Sequence, residues 1–328
     1  MTTRERVRTL VDRFAQCPVA VLGDLMLDRY VWGDVDRISP EAPIPVVRVH
    51  HESTMLGGAG NVARNLASLG ASVSLIAVIG DDGAAEELRT SAEEWKLSTE
   101  ALVVDPSRMT TQKTRVIARG QQVVRYDHET ELDISPEVAE RVLERVRAVC
   151  TRVRGVVIED YGKGLLTPEL LTECLRIFGE HGVPVFVDPK DPPWDMFRGV
   201  ELLKPNCREA EQACRVRVSC DADMERVIRQ VLEVSGASTV AVTRGAEGMT
   251  LLEAGGVPTH VPGTRRAVAD AAGAGDTAIS VLTLARLAGG SWTEAAQLAN
   301  GAAGFVVGIR GTATLSPSDL LGEMERAR

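Results

Sequence analysis

Apolar positions along the chain alternate between two periods. Short β-branched runs predict strands over residues 19–22, 73–79, 155–158, 183–187, 202–203 and 240–242. Between them, apolar residues at three- and four-residue spacing predict helices over 59–69, 83–95, 136–149, 168–179, 274–287 and 293–307. This alternation predicts an α/β fold with a mostly parallel central sheet and helices on both faces. Segments 30–50 and 110–127 break the rhythm: strand formers without a helical period. They are expected as β elements outside the main sheet, forming a small lid. With no linker, low-complexity tract or internal repeat in view, one domain over 1–328 is expected.

Composition narrows the function. A 44% hydrophobic and 25% charged chain is ordinary for a globular protein. Its net charge of −9 argues against nucleic acid or an anionic membrane as the main partner. The charged stretch from Met1 to Arg13 lacks an apolar core, and no apolar run is long enough to span a bilayer. A cytoplasmic protein is expected. Six scattered cysteines form no C-x-x-C pair and have no histidine at zinc-ligand spacing. They are expected as reduced thiols.

The chemistry concentrates in Asp270-Ala-Ala-Gly273-Ala274-Gly275-Asp276, just before the predicted helix over 274–287. Backbone N–H groups at a helix start attract anions, and small residues let a phosphate come close. Gly273, Ala274 and Gly275 would form an anion hole. Asp276 would stand beside a bound phosphoryl group, placed to accept a proton from an attacking hydroxyl. The helix dipole is expected to lower its pKa. The plainer alternative is a helix-capping aspartate. Upstream, Gly57-Gly58-Ala59-Gly60-Asn61 precedes the predicted helix over 59–69. A dinucleotide fingerprint would follow the first strand directly, and this run does not. A Rossmann oxidoreductase is disfavoured.

Gly57 to Ala63, then Gly70 and Gly80, resembles the first signature of the ribokinase-like (PfkB) carbohydrate kinases, and Asp270 to Asp276 resembles the second. Ala271 and Ala272 depart from it, where Thr, Ser, Val or Pro and then Thr are usual. Further blocks are Gly23 to Tyr30, Arg37 to Val46, Lys113 to Asp127, Asp160 to Gly164 and Val187 to Lys190. They resemble the branch that phosphorylates D-glycero-β-D-manno-heptose 7-phosphate at C1, a step toward ADP-heptose and lipopolysaccharide. Bifunctional relatives there carry a nucleotidyltransferase domain with an H-x-G-H motif, which none of the five histidines forms. A stand-alone kinase is therefore expected. The rivals are a kinase of the same fold for another sugar and a non-catalytic sugar or nucleotide sensor.

The resemblance implies ATP, Mg²⁺ and possible K⁺ dependence, with Asp270 near the monovalent-cation loop. Asn206 and Glu209, an N-x-x-E pair, would organise Mg²⁺ and phosphate through water; a solvated helix start is the alternative. Lys190, Thr243, Gly245, Gly248 and Asn300 would line the nucleotide. Lys190 is as readily a surface lysine and Asn300 a packed helix residue. Asp24, Asp28, Gly57, Gly58 and Asn61 would meet the sugar, unless one aspartate caps a turn. Lys113, Arg115, Arg119 and Arg125 share odd parity, which puts strand residues on one face, although Gly120 is expected to make a turn or bulge. Lys113, Arg115 and Arg125 are expected to hold a distal phosphate. A charged face paired with Asp127 and Glu129 is the alternative. The resemblance also implies a homodimer through the lid.

Overall fold

The computed structural model describes residues 3–190, 193–264, 266, 268–309 and 311–326. Nine strands make the main sheet: β1 (Val19–Gly23), β4 (Val73–Ile79), β5 (Leu102–Val104), β8 (Gly155–Glu159), β9 (Val185–Asp188), β10 (Leu202–Leu203), β11 (Thr239–Thr243), β12 (Gly248–Glu253) and β13 (Thr259–Pro262). Their spatial order is β13-β12-β11-β10-β9-β8-β1-β4-β5. All neighbours run parallel except at the edge made by β12 and β13. The four remaining strands, β2 (Leu25–Ile38), β3 (Pro45–Gly58), β6 (Gln112–Ala118) and β7 (Gln121–His128), form a second sheet ordered β3-β2-β6-β7. They cover the two segments that lacked a helical period.

The helices are α1 (Thr3–Asp12), α2 (Ala59–Ser68), α3 (Gly83–Glu94), α4 (Pro136–Cys150), α5 (Pro168–Glu180), α6 (Cys207–Cys214), α7 (Asp221–Ser235), α8 (Ala274–Leu287), α9 (Trp292–Val306) and α10 (Pro317–Arg326). Side chains cap the helix starts: Asp82, Ser135, Thr167 and Ser291 each accept an N–H of the first turn. Helices α1, α7 and α10 and strands β5 and β13 were not among the expected elements. Helix α6 and strand β12 correspond to the plainer alternatives for Asn206 and Glu209 and for residues 243–248, a helix start and a strand–turn–strand. The apolar spacing for α7 is in the chain: Met224, Val227, Ile228 and Val231 are buried.

Period-2 alternation sorts the strands' side chains into two cores. Val21, Val157, Phe186, Leu202 and Ala241 join α2, α8 and α9 on one face. Leu22, Ile158, Val187, Leu203 and Val242 join α4, α5 and α7 on the other. Extending the first set by two residues reaches Glu159 and Asp188, the last residues of β8 and β9, and Lys204 just past β10. Chemistry-bearing residues thus stand where the first core ends, at the carboxyl edge of a parallel sheet, the usual place for a ligand. All six cysteines are free thiols. Among the described residues, no helix is long and apolar enough to cross a membrane.

Candidate active site

Glu159 pairs with Asp188 in the β8–β9 register, and Leu203 pairs with Val187 one step earlier, so Glu159, Asp188 and Lys204 form a row. Helix α8 begins above it and supplies Asp276. A cleft of about 380 Å³ is lined by Glu159, Asp188, Lys204, Thr243, Gly275 and Asp276, among others. Asp160, Tyr161, Pro189, Lys190, Asn206 and Glu209 form its remaining wall.

Gly273 opens α8 from the left-handed region, at φ 80°, a conformation that costs a glycine little. A Cβ there would press on the Asn61 amide at 3.0 Å. That amide donates to Asp276 Oδ2 at 2.5 Å. Arg64 fixes its orientation from behind, donating to Asn61 Oδ1 at 3.3 Å while its guanidinium stacks 4.8 Å from the centre of the Trp95 ring. The Ala274 N–H reaches back to Ala271 O at 3.4 Å, a long bond. Gly275 faces Lys204 and Asp188: a Cβ there would lie 3.7 Å from Lys204 Nζ.

Electrostatics correct one expectation. The Asp276 pKa is raised, to about 6, because burial outweighs the Asn61 hydrogen bond and Asp188 adds repulsion. The helix start does not bring it down. Burial also lifts Glu159 well above the ordinary carboxylate range, with Asp188 and Asp276 adding to it. Burial works against the charge on Lys204, yet Asp188 and Glu159 hold its pKa above the ordinary lysine value. Lys204 Nζ lies 2.7 Å from Asp188 Oδ2. The Tyr161 hydroxyl is kept protonated, by Asp276 first and burial second.

The second sheet brings Asp28 close enough to act electrostatically on Asp276 and Tyr161. Asp28, Tyr30, Lys113, Arg115, Arg125 and Asp127 share one face through the β2–β6 and β6–β7 registers. Gly57 lets β3 pass Asp28: a Cβ would meet Asp28 Oδ2 at 2.4 Å. Gly58 follows as the N-cap of α2. Arg115 Nη1 donates to Asp28 Oδ1 at 2.5 Å, with its guanidinium 5.3 Å from the Tyr30 ring centre.

Several expected contacts are differently employed. Asp24 is buried and accepts the backbone N–H groups of Tyr161 and Lys163, at 3.0 and 3.1 Å. It shapes the 160–164 loop, and burial raises its pKa against those bonds. Lys113 is paired with Asp127 and Glu129, each at 3.1 Å. Arg125 pairs with Asp127 and is half exposed. Arg119 leaves the face at a two-residue turn with Gly120, φ 52° and 76°, and pairs with Asp36. The basic patch is therefore largely the paired surface left open as its alternative.

Asn206 and Glu209 form a reciprocal capping box at the start of α6 and also line the cleft. Lys190 donates to Tyr161 O at 2.9 Å. Asn300 is a packing residue: its Nδ2 donates to the Val261 and Pro262 carbonyls, fastening α9 to β13. Gly245 lies in a 3-10 turn and Gly248 heads β12, both beyond the residues lining the cleft. Asp270 accepts the N–H groups of Ala272 and Gly311. Sequence reasoning gave no role to Glu159, Lys204 or Arg64. For the first two the signal was present: polar residues in phase with apolar strand positions at strand ends.

Residues 18–319 match the model of the pfkB family carbohydrate kinases. The chain belongs to that family. Membership makes it an ATP-dependent phosphotransferase. It is 42% identical over 315 residues to a bifunctional protein HldE of Desulfatibacillum aliphaticivorans, covering 96% of this kinase and 64% of that protein. It is 40% identical over 321 residues to the HldE of Geobacter sulfurreducens, covering 98% and 66% respectively. This kinase thus spans just under two thirds of those relatives. In fold it is similar to phosphofructokinase-2 from Escherichia coli in complex with potassium (TM-score 0.79, 20% identity, 95% of this chain and 99% of that one). It is also similar to Arabidopsis thaliana ribokinase complexed with ribose and ATP (TM-score 0.74, 19% identity, 94% and 99%).

Proposed function

We propose that this kinase transfers the γ-phosphoryl group of ATP to the C1 hydroxyl of D-glycero-β-D-manno-heptose 7-phosphate, giving the 1,7-bisphosphate and ADP. The observation that carries the reading is Asp276, a buried carboxylate held by Asn61 at the start of α8 and opening on the cleft. The heptose assignment draws on the HldE relatives and on the sequence blocks shared with that branch. Lipopolysaccharide precursor synthesis and a cytoplasmic setting belong to the same proposal.

Asp276 accepts the hydroxyl proton as the C1 oxygen bonds to phosphorus and the bond to the bridging oxygen breaks. Its raised pKa suits it to that work near neutral pH. The α8 N-terminus and Lys204 face the charge that develops on the transferred group. Asn61 holds the carboxylate in register, and Asp28 and Arg115 contact the sugar. Asn206 and Glu209 would hold Mg²⁺ through water, with lone pairs beyond those used in the capping box. The bound ion would neutralise phosphate charge. Asp270 is the residue proposed beside a monovalent cation.

We also propose a dimer through the second sheet. Strand β7 leaves Val123, Val124 and Tyr126 more than a third exposed at a sheet edge. A kinase for a sugar without a distal phosphate is favoured by one observation: Lys113 and Arg125 are already paired with carboxylates. Mass spectrometry of products from ATP with heptose 7-phosphate, and separately with the unphosphorylated heptose, separates the readings. A bisphosphate formed only from the former is expected. Equal turnover of both would overturn the substrate assignment.

A further inference from the structure

Glu159 is 3% exposed, and its Oε2 has no hydrogen-bond partner. Nothing in the phosphoryl-transfer scheme uses it. An unpaired buried carboxylate is costly, and a second carboxylate beside it makes ionisation harder still. Yet Glu159 stands next to Asp188 in the strand register and lines the cleft with Asp276. One oxygen from each of Glu159, Asp188 and Asp276 lies within 4.8 Å of the others. Lys204 is the ammonium in the row, and it is engaged with Asp188. Three carboxylates against one lysine leave the group short of positive charge.

We propose that Glu159 and Asp188, with Asp276 on the open side, bind a divalent cation in the absence of nucleotide. The donors are all carboxylate oxygens, which select hard cations such as Mg²⁺ and Mn²⁺. Two oxygens trans across Mg²⁺ are about 4.2 Å apart, twice its bond length. A spread of up to 4.8 Å therefore suits an ion that keeps water and meets at least one carboxylate through it. The site's ligands differ from the Asn206–Glu209 pair, which lines the same cleft. Its place in catalysis rests on the kinase reading above: it would put a positive charge beside the proton acceptor and the incoming phosphate. The binding itself does not depend on that reading.

The test is titration of the full chain with Mn²⁺, without nucleotide, followed by electron paramagnetic resonance. One ion per chain is expected. Glu159→Gln is expected to weaken binding at least tenfold, with its circular dichroism spectrum unchanged. Glu159→Asp, which keeps the charge but draws it back by one methylene, is expected to weaken it less. Glu209→Gln, which can still form the capping box, is expected to bind within twofold of wild type. Absence of nucleotide-free binding, or unaltered binding by Glu159→Gln, would overturn the proposal, as would an equal loss in Glu209→Gln. Should wild type bind Mn²⁺ in this way yet phosphorylate no sugar, the proposed function alone fails. Should it phosphorylate heptose 7-phosphate yet bind Mn²⁺ only with ATP present, this inference alone fails.

Discussion

On the four-stranded sheet, Lys113 lies between Asp127 and Glu129 with its side chain 13% exposed. At the carboxyl edge of the nine-stranded sheet, Lys204 lies against Asp188 with 3% exposure. The residue types match and the surroundings do not. Around Lys113, water solvates the charges, and burial is too slight to keep Asp127 and Glu129 from dropping below their ordinary pKa values. Around Lys204, burial prevails and lifts Glu159 and Asp276. A cluster of charges in a strand pattern is thus weak evidence of a binding site. A single charge in phase with a buried apolar face is stronger evidence.

Substitutions sharpen this contrast. Lys204→Met should have the largest effect on stability. Removing one partner of a buried pair costs about 3–5 kcal/mol, visible as a large drop in the urea midpoint or as failure to fold. Next is Asp276→Asn. Asp276 titrates near 3.8 when unfolded and at about 6 when folded. Between those values the folded protein keeps a proton that the unfolded chain has lost, so stability falls as pH rises through that window. Above it, the ionised carboxylate is a constant cost. Asp276→Asn should therefore be more stable than wild type by roughly 1–3 kcal/mol near neutral pH. The gain should shrink below pH 6 and disappear below 3.8. Denaturation midpoints measured across pH would check it; a gain that grows on acidification would contradict the burial argument.

Arg115→Leu should act mainly on substrate affinity. Its guanidinium spans Asp28 and Tyr30. Losing it is expected to raise KM for the phosphosugar by about tenfold, equivalent to ~1.4 kcal/mol, with kcat changed less. The smallest effect belongs to Lys113→Met, at about 1 kcal/mol or less in stability and little in KM. A large KM change there would restore Lys113 as a phosphate anchor and undo the contrast with Lys204.

The sequence carried the alternation of the main sheet well, because buried parallel strands and capped helices leave local marks. Strand β4 and helix α8 fall on their expected ranges. The glycine signatures led to Asn61 and Asp276, now in contact. What was missed depends on long-range partners. Asp24 and Asn300 are polar residues near the expected ligands, but each satisfies backbone groups of a distant loop or strand. Parity grouped Arg119 with Lys113, but the turn expected at Gly120 already includes Arg119 and takes it off the face. The Asp276 pKa depends on how deeply the fold buries it, and helix position says nothing about that.

The most direct test is single-turnover phosphoryl transfer by Asp276→Asn, with ATP affinity measured on the same preparation. The account predicts a rate about a thousandfold below wild type, in the middle of the range of general-base effects, with ATP binding within a few-fold. A rate within tenfold of wild type would contradict the central claim that this buried carboxylate receives the proton.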